Sequence, residues 1–459
     1  MLETRQDGTT RTAEAPRSPV WRQRSFLALW SAHTVSQFGT QITLFVIPVL
    51  ALTTLSATPG QLGLVSAAET VPFLLIGLPA GALLDRWDRR RVMVVADLGR
   101  AVAICVLPLG YALDTLSVPL LCAVAFVTGV FTVFFDIADQ ALLPSVVSRA
   151  QTADGNSRLE FSRSTAELAG PSLGGLLLQL LAAPLILLAD AVSYLLSALL
   201  LRSVRTRHDD DQDHDQDHDQ DRKHGRGDDH GHDHTEPRAA PESESRMRTR
   251  IAEGLRFVLT HRTLRPLALA TAIGNLASLG GALSALLTAY AVHDLRLSPG
   301  ALGLALSLGN AGALLGAVAT GRLIRRFGLG PVLIGAKSLP GLAVLVLATA
   351  APGRASATVV FATGILACGV TVYNIGQVSL RQAVTPTALQ ARMNASVRFV
   401  IWGTLPLGAL AGGLLGSWLG LRPALWLVGA TGLLSCLPLL LAREVRALRA
   451  MPTGPESVD

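Results

Sequence analysis

The residues able to do chemistry in this chain are few and unusually placed: carboxyl groups standing inside long apolar runs. Glu69 and Asp190 each sit within such a run, and Asp97 stands three residues before Arg100. An ionisable group at the centre of a bilayer costs about 2.5 to 3.5 kcal/mol on insertion scales, so each must face a protein interior or a partner. A spacing of three puts Asp97 and Arg100 on one helical face, where they pair. Glu69 has no basic neighbour within a turn. A carboxyl that carries a proton must take it up near neutral pH, and removal from water favours its neutral form. Glu69 is therefore the first candidate for proton coupling, followed by Asp190 and then Asp97. The competing reading of Glu69 and of Asp190 is a hydrogen-bonded packing carboxyl. Asp136 and Asp139 close the fourth apolar run and Glu167 opens the fifth, where a cytoplasmic charge network with Arg163 or the loop arginines is expected. Gln37, Asn275, Asn374, Gln377 and Arg398 set polar groups into further runs. They either line a substrate cavity or make interhelical hydrogen bonds, which average only about 0.6 kcal/mol.

Catalytic constellations are missing from the sequence. Gly330-Pro331-Val332-Leu333-Ile334-Gly335-Ala336-Lys337-Ser338 nearly mimics a phosphate-binding loop, but Ala336 interrupts the required Gly-Lys pair. No Gly-x-Ser-x-Gly elbow and no HExxH occurs, so the chain is read as a non-enzyme without a cofactor. The four cysteines, Cys105, Cys122, Cys368 and Cys436, lie inside apolar runs without CxxC spacing and read as small core residues.

Positioning these groups requires membrane-spanning elements. Half of the 459 residues are hydrophobic and only 16% are charged, against about 25% in an ordinary soluble domain. Crossing about 30 Å of hydrocarbon as a helix takes roughly 20 apolar residues. Twelve such stretches are predicted: 26–52, 60–84, 92–112, 116–138, 164–183, 185–201, 267–291, 300–321, 331–350, 356–380, 397–419 and 422–441. Long continuous runs, rather than alternating segments of about ten residues, make the fold all-α and exclude an outer-membrane barrel.

Charge placement orients the chain. With the N-terminus inside, 34 of the 39 Lys and Arg fall in the tails and inner loops. Three, Arg296, Arg354 and Arg422, fall outside, and Arg100 and Lys337 lie within spans. By the positive-inside rule this is a multi-pass protein of the cytoplasmic (inner) membrane with both termini cytoplasmic, and the net charge of +6 needs no nucleic-acid partner. The expected organisation is a cytoplasmic N-terminal tail (1–24), a six-helix bundle (25–201), a disordered Asp/His-rich cytoplasmic linker (202–250), a second six-helix bundle (251–441) and a cytoplasmic tail (442–459). Low hydrophobicity and dense charge deny the linker a core. Its histidines, His208, His214, His218, His224, His230, His232 and His234, belong either to a solvated tether or to a metal-binding tract.

The two bundles are related. Pro59-Gly60, Leu62-Gly63-Leu64 and Gly81 recur 240 residues later as Pro299-Gly300, Leu302-Gly303-Leu304 and Gly321. Asn156, Gly174-Gly175 and Leu176 recur 238 residues later as Asn394, Gly412-Gly413 and Leu414. Like-oriented repeats of six spans are a transporter scaffold, with the substrate site between the halves near the midplane.

On these residues the chain resembles the major facilitator superfamily, over nearly everything except the tails and linker. Gly81-Ala82-Leu83-Leu84-Asp85-Arg86-Trp87-Asp88-Arg89-Arg90-Arg91 is similar to its G-x-L-x-D-R-x-G-R-[RK] signature, with Asp88 where glycine is usual. Only a shell of the second copy remains, Gly321-Arg322-Leu323-Ile324-Arg325-Arg326-Phe327-Gly328. Gly170-Pro171-Ser172-Leu173-Gly174-Gly175 resembles the G-P-x-x-G-G motif of proton-antiporting exporters, and the whole looks closest to the branch of enterobactin exporters and macrolide efflux proteins. The resemblance implies a gate at Gly81, Asp85, Arg86, Arg90, Arg100 and Asp136, although Arg89, Arg90 and Arg91 also read as topology signals. It implies a monomeric antiporter that exchanges protons for amphipathic small molecules, antibiotics or siderophore-like compounds, in a lipid bilayer. Alternative readings are a divalent-metal exporter that uses the linker, a non-transporting sensor or scaffold, and a lysophospholipid flippase.

Overall fold

The structure, a computed structural model, describes residues 19–84, 87–148, 151–204, 256–278 and 281–452. The side chains at 78, 79, 81, 82, 387, 388, 391, 392, 394–396 and 398–401 also lie outside the description. Two of the expected gate residues, Asp85 and Arg86, are therefore outside it, as are the side chain of Arg398 and the histidines of the linker.

The chain is helical throughout its described membrane part. Ten spans are single helices: α1 (Arg24–Leu55), α2 (Pro59–Leu84), α3 (Arg89–Ala112), α4 (Val118–Val146), α5 (Thr152–Leu180), α6 (Ala183–Arg202), α9 (Pro299–Phe327), α10 (Leu329–Ala348), α11 (Ala355–Val384) and α12 (Thr387–Leu419). Two spans are broken. The stretch expected to run unbroken over 267–291 divides into α7 (Leu264–Leu276) and α8 (Ala282–Ala289), the latter continued by a π-helical turn, Tyr290–Asp294. The last span divides into α13 (Leu421–Leu434) and α14 (Leu437–Leu441).

Local sequence explains these ends. Asp88, the departure from the expected glycine, caps α3: its carboxylate accepts from the N–H groups of Arg90 at 2.9 Å and Arg91 at 3.3 Å. Gly328 and Gly420 each adopt φ of +88°, a conformation side chains resist, and so allow sharp links from α9 to α10 and from α12 to α13. The break between α7 and α8 is held by short polar side chains: Ser278 Oγ donates to the Asn275 carbonyl at 2.8 Å and Ser284 Oγ to the Gly281 carbonyl at 2.6 Å. A Cβ on Gly281 would stand 2.3 Å from the Asn275 oxygen, so only glycine fits there. Hydroxyls satisfying freed carbonyls make a broken helix tolerable at membrane depth.

Within the first half, α1 packs on α5 and α6, α3 on α4 and α6, and α2 on α4. In the second half, α11 packs on α9 and α10, and α12 on α7, α8 and α13. Apolar side chains face outward as well as inward, and polar groups within the spans are sheltered where the helices pack. On α6, Leu185, Val192 and Leu199 form an exposed apolar stripe seven residues apart, whereas Asp190, Tyr194 and Ser197 are buried. A lipid-facing surface needs no polar groups, and polar groups are sheltered in the bundle instead.

Several helices outrun the spans expected from hydropathy. At about 1.5 Å per residue, the 29 residues of α5 reach roughly 43 Å, longer than the hydrocarbon. Asp136 and Asp139 consequently lie well inside α4 rather than at its end. Part of the expected C-terminal tail packs on the second half: α15 (Arg443–Ala447) buries Val445, and the Gly330 N–H donates to the Leu448 carbonyl at 2.9 Å.

Candidate functional site

The halves meet through α2 against α12 and α5 against α9, two crossings equivalent under the repeat. Among the residues that recur at offsets of 240 and 238, Pro59, Gly63, Gly175, Pro299, Gly303 and Gly413 touch across the seam. A Cβ on Gly63 would stand 3.0 Å from the Gly413 Cα, and one on Gly303 3.2 Å from the Gly175 Cα. Likewise Gly413 abuts the Pro59 carbonyl and Gly175 the Pro299 carbonyl, with 2.7 and 2.5 Å left for a Cβ. Backbone approaches this close are possible only between small residues. Hydrogen bonds across the seam lie in the same region: Gly60 N–H to Ser417 Oγ at 2.8 Å, Ser172 N–H to Ser307 Oγ at 3.0 Å, and Asn310 Nδ2 to the Glu167 carbonyl at 3.0 Å. These contacts all belong to the halves of the helices remote from the chain termini. Of the exporter-type motif, Gly175 and Pro171 form this seam, whereas Gly170 and Gly174 seat α5 on Gln41 and Phe45 of α1.

Toward the end bearing the termini, two cavities open between the halves. The first, about 860 Å³, is lined by Glu69, Gln37, Asp136, Asp139, Glu167 and Arg163 of the first half and by Trp402 of the second. Trp402 stacks on Phe73 with centroids 4.2 Å apart, tying α12 to α2 beside Glu69. The second, about 690 Å³, is lined mainly by the second half, including Asn275, Asn374, Lys337 and Tyr373, with Glu160 and Glu167 facing it from α5.

The sequence-derived candidates divide accordingly. Glu69, Asp136, Gln37, Asn275 and Asn374 line the cavities, whereas Gln377 is buried away from both linings. Asp190 is buried and hydrogen-bonded by Thr43 Oγ1 at 2.5 Å and Ser193 Oγ at 2.9 Å, against Gly39 of α1. Asp97 and Arg100 form the expected ion pair, both buried, with the guanidinium between the rings of Phe135 (4.1 Å) and Tyr194 (4.5 Å). Glu69 is different: among the described residues it has no ion pair and no side-chain hydrogen bond, and it faces the first cavity. Arg163 and Glu167 pair at 3.2 Å along α5. Arg89 and Arg90 bond the carbonyls of Ala141 (2.9 Å) and Val204 (2.7 Å), fastening the start of α3 to the ends of α4 and α6 within their own half.

Some groups escaped sequence reasoning. His33 lies buried in α1 with Nδ1 3.2 Å from Asp139 Oδ2. Lys337 was placed within a span but given no role, and the Phe73–Trp402 stack was unforeseen. A lone histidine or lysine in an apolar run is the available signal, but its partner comes from a helix distant in sequence.

Two like-oriented six-helix halves around a central cavity that carries several polar side chains define a membrane-transporter scaffold. Residues 29–405 match the description Major Facilitator Superfamily, and the chain belongs to that superfamily, a family of transporters rather than enzymes. It is similar to the uncharacterized MFS-type transporter YkuC of Bacillus subtilis (strain 168), 26% identical over 186 residues, covering 40% of this chain and 43% of that protein. It is also similar to the multidrug efflux pump Tap of Mycobacterium tuberculosis (strain ATCC 25618 / H37Rv), 30% identical over 162 residues, covering 34% and 38%. The matched stretch thus spans less than half the length of these curated relatives. Among solved structures, a bacterial homologue of the iron transporter ferroportin in its inward-facing state superposes with a TM-score of 0.67 at 19% identity, covering 92% of this chain and 99% of that one. At that identity the likeness is one of fold.

Proposed function

We propose that the chain is a proton-coupled exporter of amphipathic small molecules, antibiotics or siderophore-like compounds. It acts as a monomer in the lipid bilayer of the cytoplasmic membrane with both termini in the cytoplasm, so that the cavities open inward. The observation that carries this reading is Glu69, a carboxyl in the wall of the central cavity with no cation assigned to it. Of the three coupling candidates, Asp97 is held by Arg100 and Asp190 by two hydroxyls, which leaves Glu69 as the candidate free to exchange a proton for a substrate. Its negative form attracts a cationic or polar amphipath from the inner side, and a proton arriving from the outer side displaces it. The largely apolar lining, the efflux activity named for the Tap relative and the G-P-x-x-G-G resemblance support export and loose selectivity. The expected gate at Gly81, Asp85, Arg86, Arg90, Arg100 and Asp136 belongs to the inner end in this scheme, and the glycine seam closes the outer end.

Inside-out vesicles energised to an acidic lumen provide the test. Hydrophobic cations, macrolides and catechol siderophores are added in turn, and the proton gradient is followed. Collapse of the gradient by at least one compound is expected; no collapse with protein shown to be folded and inserted removes the proposal. Deleting 208–234, which lies outside the described residues, is expected to leave metal resistance unchanged.

The seam yields a second expectation. In Gly303→Leu the added side chain meets the Pro171 carbonyl, from which even a Cβ would be only 2.1 Å away, and overpacking costs about 1 to 3 kcal/mol. Closure at that end should weaken accordingly. In a chain with the native cysteines replaced, modification of Ser307→Cys by an impermeant thiol reagent from the side opposite the termini should accelerate on the order of tenfold. An unchanged rate would remove the seam from the outer closure.

A further inference from the structure

Lys337 stands in the middle of α10 and is only 8% exposed. A buried ammonium is costly unless an anion or several acceptors meet it. Among the described residues its Nζ makes no hydrogen bond and no ion pair, and its one recorded contact is the face of Tyr373, 4.4 Å from the ring centroid. The Tyr373 hydroxyl is engaged elsewhere, with Thr271 Oγ1 at 3.0 Å and the Leu267 carbonyl at 3.3 Å. Gly274 of α7 leaves room for the ammonium, since a Cβ there would stand 2.3 Å from Nζ. Lys337 also lines the 690 Å³ cavity together with Asn275 beside the helix break and Asn374 of α11. The carboxylates facing the same cavity come from α5 of the other half: Glu167 is paired with Arg163, and Glu160 lies more than 4 Å from Nζ. The second half thus presents an uncompensated cation, an aromatic face and two amides to a space large enough for a small molecule.

We propose that this is an acid-binding subsite: Lys337 receives a carboxylate of an aromatic amphipathic substrate, with Tyr373 against its ring and Asn275 and Asn374 at its polar edges. This rests on reading the central cavity as the transport site. A carboxylate on an ammonium makes a charge-assisted hydrogen bond, about twice as strong as a neutral one and stronger still away from water. Glu69 lines the 860 Å³ cavity and Lys337 the 690 Å³ one, and Glu160 and Glu167 of α5 line both, so the space between the halves carries a negative and a positive pole; the favoured substrate bears both an acid and a cationic centre.

Rhodamine 110 and rhodamine 123 share one cationic ring system and differ in a free carboxylate against its methyl ester. Binding of both to the full chain in nanodiscs, read by fluorescence polarisation, tests the subsite. Lys337→Met is expected to weaken rhodamine 110 at least about tenfold and rhodamine 123 by less than about twofold, and Lys337→Arg to retain the acid. Thermal unfolding of ligand-free Lys337→Met should match or exceed wild type, because an apolar replacement of an unpaired buried charge removes a desolvation cost. Should that variant fail to fold, Lys337→Gln carries the same comparison. Equal losses for both dyes, an unchanged affinity for rhodamine 110, or no binding of rhodamine 110 by wild type overturns the subsite. Lysine-dependent binding of the acid without gradient collapse in vesicles upholds the subsite and removes proton-coupled export instead.

Discussion

Glu69→Gln abolishes compound-driven collapse of the proton gradient in inside-out vesicles and weakens the binding of cationic compounds: this is the largest functional effect expected of any single substitution in the chain. Glutamine preserves the size of the side chain and its capacity for hydrogen bonding, so the cavity beside the Phe73–Trp402 stack keeps its shape. What disappears is the exchangeable proton. Exchange of labelled compound across the membrane at equal pH should persist, because both conformations stay accessible, whereas uphill export should fall to the passive leak. The paired measurement separates a proton carrier from a packing carboxyl. A packing carboxyl replaced by an amide would lower exchange and export together, or neither. Gradient collapse that persists in Glu69→Gln would move the proton site to Asp190 and then to Asp97. Asp190→Asn is expected to lower stability more than coupling, because its oxygens already accept from Thr43 and Ser193.

The largest effect on stability is expected at the pair of Asp97 and Arg100. Both side chains are buried at the junction of α3, α4 and α6, and the guanidinium lies between the rings of Phe135 and Tyr194. Removing one member of a buried pair leaves the other charge uncompensated and costs about 3 to 5 kcal/mol. Arg100→Leu also forfeits the contacts with both rings, about 2 kcal/mol when desolvated. Asp97→Leu strands a guanidinium that stays charged at any accessible pH. Each single variant should therefore unfold well below wild type in a detergent thermal-unfolding assay. The double variant should recover most of the loss, since apolar residues of similar volume replace a buried pair at little net cost. Additive losses in the double variant would show that the two residues are not coupled, and a single variant as stable as wild type would contradict their burial. A transport defect that remains in a stable double variant would assign the pair a gating role in addition to its structural one.

The two repeats, their like orientation and the pairing of Asp97 with Arg100 were legible in the amino-acid order, because bilayer thickness sets span length and a spacing of three sets a helix face. The recurring glycines could be read as a repeat; that Gly63 meets Gly413 and Gly175 meets Gly303 could not, since each contact joins residues of different halves far apart in the chain. The break at Ser278 and Gly281 had its signal in a polar, glycine-containing step, yet hydropathy averaged over a span passes across it. The sequence ranked Glu69 ahead of Asp190 without revealing that Glu69 faces the cavity while hydroxyls enclose Asp190, and it did not foresee His33 on Asp139 or Lys337 on Tyr373. In a soluble helix the apolar stripe marks the buried face; in a membrane helix lipid and protein interior are both apolar, so periodicity leaves rotation about the helix axis open. Sequence alone determined which groups must be sheltered in the bilayer and on which helix each lies. Packing against helices distant in the chain decided what shelters them, and hence which of the three coupling candidates faces the cavity.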